Sequence, residues 1–149
     1  MKNIKYILIG IFLVIIDQII KYFMLGKNIT IISNLLSIDY RENRGGAFSI
    51  GSFNIILIFS IILIIAILLY LIKNKDNITN FIPLIFILSG SISNLIDRLF
   101  RGYVIDYINV NIFNFPIFNI ADILIVIGCF LFIIQLFFKS FKLNEYKNN

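Results

Sequence analysis

The chain has 149 residues, of which 60% are hydrophobic and 14% charged, with mean hydropathy +0.97. A soluble domain of this length could not bury so many Ile, Leu and Phe side chains, so the bilayer is the solvent for most of its surface. The net charge of +5 is carried between and beside apolar runs, where it reads as a topology signal rather than a nucleic-acid footprint. With no histidine and one cysteine, Cys129, inside an apolar run, zinc sites, Cys/His nucleophile pairs and an internal disulfide are excluded.

Four apolar stretches, 4–25, 55–72, 81–99 and 117–138, are each long enough to cross a hydrocarbon core of about 30 Å at about 1.5 Å per residue. The first follows Lys2 and Lys5 like a signal peptide. No small-residue cleavage site follows it, however, and Asp17-Gln18-Ile19-Ile20-Lys21 comes instead, so a retained helix is expected. The next segment, 26–54, holds a strand-like run from Leu35 to Tyr40 and the turn-prone Asn43-Arg44-Gly45-Gly46, then Ala47-Phe48-Ser49. The second stretch has polar side chains only at Ser60 and Tyr70. The third carries Ser89-Gly90-Ser91, Ser93, Asn94 and Asp97-Arg98. Segment 100–116 then alternates apolar and polar through Tyr103 to Ile108. The fourth opens on Asn119 and Asp122. These elements predict an all-α membrane protein of four transmembrane helices with a small β-structured extracytoplasmic cap, forming one domain over 1–149. An even number of spans puts both termini on one side. Once the charges inside the motifs are set apart, the lysine bias places that side in the cytoplasm.

An ionised side chain in hydrocarbon costs at least about 2.5–3.5 kcal/mol, so Asp17, Lys21, Asp97, Arg98 and Asp122 should face the bundle interior or the interface. Asn94, Asp97 and Arg98 fall on one helical face, with the small residues from Ser89 to Ser93 upstream allowing close approach of a helix or substrate. Packing alone also accounts for the serines. Asp17 and Lys21, at i and i+4, suit either a structural pair or a substrate contact. Asp106 lies in the alternating segment, and Asp122 shares a face with Asn119. If the outer segment folds back, these two carboxylates meet at the membrane surface. A pair sharing a proton suits acid/base hydrolysis. On spacing alone, a helix cap plus a loop aspartate competes with that reading. So do a Ser/Lys peptidase using Lys21 as base and a small polytopic transporter or channel subunit with a polar lumen.

The motifs together resemble those of the lipoprotein signal peptidases (signal peptidase II) at five places in order. Asp17 to Lys21 is similar to that family's Asp-Gln-x-x-Lys. Asn43 to Phe48 resembles its Asn-x-Gly-Ala-Ala-Phe, and Gly90 through Asn94 to Asp97-Arg98 its Gly-x-x-Gly-Asn-x-x-Asp-Arg stretch. Gly102 to Tyr107 and Phe118-Asn119-Ile120-Ala121-Asp122 resemble the segments bearing its two catalytic aspartates, and Gly128 also fits. Ser89 and Ser93 stand where the family has glycine, Gly46 where it has alanine, and Ile123 where it has serine; these departures touch fine packing. The resemblance implies an aspartic endopeptidase with Asp106 and Asp122 as its acid/base pair. Asn94, Arg98 and Asn119 would position carboxylates or substrate, Asn43 would belong to the outer cradle, and Gly90, Asp17 and Lys21 would serve binding or positioning. It implies diacylglyceryl prolipoproteins as substrates, cut before the lipidated cysteine at the bacterial cytoplasmic membrane. It also implies contact with membrane lipid, inhibition by the cyclic peptide globomycin, and no metal or organic cofactor. Nothing demands more than a monomer.

Overall fold

A computed structural model describes residues 4–45, 53–74, 81–112 and 115–148, with no account of the side chains of 53 and 141–148. In chain order its elements are α1 (Ile4–Met24), β1 (Asn28–Ile32), β2 (Leu36–Asn43), α2 (Phe53–Lys73), α3 (Phe81–Arg101), β3 (Val104–Val110) and α4 (Ile120–Asn148). All four helices are long and apolar enough to span a membrane.

The helices differ in what they bury. In the most apolar part of α3, 61% of residues are buried, against 11–17% in the other three, so α3 is the central post. It packs against α4, α1 and α2. The reason lies in its sequence: α3 carries the small and polar residues, while its neighbours turn Ile, Leu and Phe outward to lipid. Two glycines set the α3–α4 approach. A Cβ on Gly90 would stand 2.3 Å from the Ala121 carbonyl oxygen, and one on Gly128 would stand 2.7 Å from that of Pro83. The backbones meet there because nothing larger intervenes.

The polar end of α3 leads directly into the sheet. Its last turn closes with Gly102 in the left-handed region (φ 78°), whose N–H donates to the Arg98 carbonyl at 3.2 Å. Two residues later β3 begins. The sheet is antiparallel in the order β1-β2-β3. β3 pairs Val104 with Asn43 and Asp106 with Arg41 of β2, past a bulge between Ile38 and Arg41. β3 also packs on α1 and α3, and a bridge from Ile108 to Phe118 draws the approach to α4 onto the same strand. The sheet thus covers the end of the bundle where the ionisable residues lie.

The expected strands appear as β2 and β3, each reaching further than the alternating pattern, to Asn43 and Val110. β1 is an addition: Asn28-Ile-Thr-Ile-Ile is a β-branched run that the length of the outer segment concealed. The fourth helix begins at Ile120 rather than 117, because Asn119 caps it, and it continues past 138 to Asn148. α3 runs to Arg101 rather than 99. Residues 46–49 of the expected turn lie outside the described residues, whereas Asn43 to Gly45 are described.

Candidate active site

The site grows from the first turn of α4. Asn119 is the N-cap: its side-chain oxygen accepts from the Asp122 N–H at 2.9 Å, and the Asp122 carboxylate accepts from the Asn119 N–H at 3.1 Å. This reciprocal capping box satisfies two of the orphan amides at the helix start, and it places an anion at the positive end of the helix dipole. The cap also fixes the direction of the Asn119 amide. Its nitrogen is left to donate to Asp106 Oδ1 at 2.7 Å, and it also lies near Asn94 Oδ1 (3.2 Å) and the Ile105 carbonyl (3.3 Å). One fully buried asparagine therefore touches both carboxylates.

Each carboxylate has a second amide donor. Asp106 Oδ2 accepts from Asn43 Nδ2 at 2.9 Å, and Asn43 Oδ1 in turn accepts from the Gly45 N–H at 2.9 Å. Asp122 Oδ1 accepts from Asn94 Nδ2 at 2.8 Å. Strand β3 delivers Asp106, 3% exposed, while Asp122 is partly open. Burial, and next the charge of Asp122, raise Asp106 from 3.8 to about 6 against the opposing hydrogen bonds of Asn43 and Asn119 and the charge of Lys21.

Behind the pair sits an ionic cluster joining α1 to α3. Lys21 Nζ lies 2.9 Å from Asp17 Oδ2, 2.9 Å from Asp97 Oδ2 and 2.8 Å from Asn94 Oδ1, and Lys21, Asp17 and Asp97 are all completely buried. The lysine turns the Asn94 oxygen toward itself, which leaves the Asn94 nitrogen for Asp122. Asp17 also accepts from Ser93 Oγ at 2.6 Å and from the Ala121 N–H at 2.9 Å, so α1 is tied to the start of α4. Gln18 donates to Ser93 and to Asp97 Oδ1. Arg101 pairs with Asp97 and donates to Gln18 Oε1 at 3.0 Å, while the Ile105 N–H donates to Asp97 Oδ2 at 3.2 Å. Arg98 donates to the carbonyls of Asn94 at 3.3 Å and Gly45 at 3.5 Å, and its charge interacts with Asp122, Asp106 and Asp97. Inside the exposed ion pairs of β2 (Arg41 with Asp39 at 3.3 Å, Arg44 with Glu42 at 3.2 Å), three cations (Lys21, Arg98, Arg101) face four aspartates (Asp17, Asp97, Asp106, Asp122).

All nine residues singled out for this site are thus placed around one region. Asp106, Asp122, Asn43, Asn94 and Asn119 form the immediate constellation, and Arg98 is held beside it by the carbonyls of Asn94 and Gly45. Asp17 and Lys21 lie behind, as a buried pair. Gly90 lies beneath, where its bare backbone meets Ala121. Four further residues belong to the cluster. The motifs give no role to Gln18 or Arg101, they place Asp97 on the face of Asn94 and Arg98 without assigning it a task, and packing alone accounts for Ser93. Ser93 does more than fill space, because its hydroxyl holds Asp17. For Arg101 the i, i+4 spacing from Asp97 was a usable signal.

Four membrane-length helices with two amide-held carboxylates at one end of the bundle define a polytopic membrane protein with a paired-aspartate site. Comparison with known proteins gives the family. A sequence profile of signal peptidase (SPase) II matches residues 9–138. A lipoprotein signal peptidase of Clostridium novyi (strain NT) is 40% identical over 134 residues, covering 82% of this chain and 90% of that one. One from Clostridioides difficile (strain 630) is 40% identical over 143 residues, covering 91% and 97%. A solved structure described as a bacterial membrane enzyme, obtained by the in meso method at 2.3 Å resolution, superposes with a TM-score of 0.83 at 36% identity, covering 91% of this chain and 89% of that one. A second, at 1.9 Å, gives 0.79 at 37% identity, covering 89% and 92%. The chain belongs to the signal peptidase II family. It is a multi-pass bacterial membrane protein and an aspartic-type peptidase. The transporter or channel reading finds no support among these relatives.

Proposed function

We propose that this protein removes the signal peptide from diacylglyceryl prolipoproteins, cutting before the lipid-bearing cysteine with Asp106 and Asp122 as the acid/base pair. The observation that carries it is the shared asparagine: Asn119 holds Asp106 through its side chain and Asp122 through its backbone. Carboxylates that share one asparagine, with the charge of one acting on the other, cannot both ionise cheaply, so the pair favours one shared proton. The surrounding charge supports this, since four aspartates against three cations are balanced by a single proton. In the reaction the ionised aspartate takes a proton from water as the oxygen adds to the scissile carbonyl. The protonated one then gives its proton to the departing amide nitrogen as the carbon–nitrogen bond breaks.

The remaining roles follow from the contacts. Asn43, Asn94 and Asn119 aim the carboxylates, Arg98 and the outer end of β2 hold the substrate backbone, and Asp17 with Lys21 fixes α1 behind the pair. Gly90 lets α4 approach. The whole chain works as one membrane-embedded domain and as a monomer, with both termini in the cytoplasm and the pair at the outer lipid boundary. There it meets membrane lipid and the lipidated peptide, and a globomycin-type cyclic peptide competes for the same place. The test is Asp106→Asn and Asp122→Asn, assayed on a diacylglyceryl precursor and on the same precursor without lipid. Each variant should accumulate in membranes and release no signal peptide, and the parent should act on the lipidated form alone. Turnover by either variant would overturn the assignment.

A further inference from the structure

Away from the aspartates, at the other end of the bundle, α1 and α2 both pack on α3 and leave a groove between them with a cavity of about 580 Å³. Its walls run from Ile7 to Ile15 on α1 and its floor from Phe81 to Ile92 on α3. At about 1.5 Å per residue these lengths are roughly 12 and 16 Å, close to one leaflet of a hydrocarbon core about 30 Å thick. The lining is aliphatic and aromatic apart from Gly10 and Ser89, and the Ser89 hydroxyl is already committed to the Ile85 carbonyl at 2.7 Å. A polar ligand finds no partner there; a hydrocarbon chain does.

The mouth is basic. Lys73 directly follows the lining residue Ile72. Lys5 stands over the Tyr6 ring, 4.9 Å from its centroid, and Tyr6 packs on Phe81 of the groove floor. Both lysines are exposed, and long stems let such residues reach the headgroup layer. α1 before Asp17, α2, and α3 before Asp97 contain no carboxylate, and Asp76, in the sequence between α2 and α3, is offset by its neighbour Lys75. We propose that this groove binds an acyl chain of an anionic phospholipid whose headgroup phosphate lies against Lys5 and Lys73. The apolar helix of a signal peptide is the rival occupant. On the proposed function, however, its lysine- and arginine-rich start would reach this same end and meet like charge. A lipid phosphate meets opposite charge.

The chain has no tryptophan, so a single one reports its own surroundings. Ile11→Trp places it in the groove, and Ile58→Trp places it on an exposed part of α2 outside it. Full-length protein is reconstituted in phosphatidylcholine vesicles containing equal mole fractions of either brominated-acyl phosphatidylglycerol or brominated-acyl phosphatidylcholine. The anionic lipid should quench Ile11→Trp several-fold more than the zwitterionic one, while Ile58→Trp should not distinguish them. Adding Lys5→Gln and Lys73→Gln should abolish the preference. Equal quenching of Ile11→Trp by both lipids, or a preference that survives loss of the lysines, would overturn the proposal. So would displacement of the quencher by a synthetic signal peptide, which would give the groove to substrate. Because the quenching is read without turnover, it stands or falls apart from the peptidase reading. If Ile11→Trp fails to reach the membrane, Ile15→Trp on the same wall gives the same readout.

Discussion

Gly90→Ala should separate catalytic geometry from stability. The added Cβ would lie 2.3 Å from the Ala121 carbonyl oxygen and 2.8 Å from Ile125 Cγ1, whereas real Cβ contacts stay above 3.0 Å. The first turn of α4 must therefore retreat by at least 0.7 Å, the difference between 3.0 and 2.3 Å. Ala121 lies between the cap and Asp122, and its N–H holds Asp17. Retreat by that amount along the bond would stretch the 2.8 Å contact of Asn94 with Asp122 to about 3.5 Å, where little of a hydrogen bond is left. Misplacement by about 1 Å costs on the order of 100-fold in rate, so kcat/KM should fall about 10- to 100-fold. Overpacking should also lower stability by about 1–3 kcal/mol. Gly128→Ala is the matched control. Its Cβ would meet the Pro83 carbonyl and Ile87 at 2.7 Å, a comparable clash, but about 9 Å further along α4 from Asp122. Signal-peptide release per folded molecule, with thermal unfolding in detergent, should show both variants destabilised and only Gly90→Ala slow. Wild-type turnover in Gly90→Ala, or an equal per-molecule loss in both, would refute the reasoning.

The raised Asp106 carries a sign for stability: the folded state holds its proton up to about pH 6 and the unfolded chain only to about 3.9. The contribution is therefore fully present below the lower value and lost as pH rises through the upper. A rise from 3.8 to about 6 corresponds to roughly 3 kcal/mol as an upper bound, so wild-type melting should drop between pH 4 and 7 and Asp106→Asn should flatten that slope. Asn43→Ala removes a hydrogen bond that favours ionised Asp106. The limb of the pH–rate profile reporting that group should move to higher pH and kcat/KM should fall about tenfold; an unmoved limb would detach Asn43 from Asp106. Lys21→Met strands Asp17 and Asp97 in a dry interior at a cost of about 3–5 kcal/mol, so membrane accumulation should collapse. Wild-type melting of that variant would show the cluster to be dispensable.

What the sequence revealed tracks how local each signal was. Apolar length marked the four spans, because burial by lipid writes directly into neighbouring residues; a strand-like run marked β2 and period-two alternation marked β3, although β3 is buried without a break from Val104 to Tyr107. The apolar stretch is expected from Ile117, three residues early, because Ile117 and Phe118 are as apolar as the helix, while the capping geometry of Asn119 decides the boundary. The ionic cluster was only half visible. Gln18 finds Ser93 across 75 positions and Lys21 finds Asn94 across 73, and no spacing rule reaches that far. The motifs named Lys21 and Asn94 separately, but only the packing of α1 on α3 shows that the lysine turns the amide. Ser93 reads as packing because a small residue on a packed helix looks the same whether or not its hydroxyl has an anion to hold.

The uneven tally of cations and aspartates has a pharmacological reading. Because the surroundings accommodate one extra positive charge at the pair, a ligand supplying its own, such as a protonated amine placed between Asp106 and Asp122, would take the proton's position and expel it. Its affinity should climb with pH until the pair has given up its own proton, then level off, and fall once the amine loses its charge. A neutral hydroxyl compound in the same position keeps the proton as its donor and should weaken over that range.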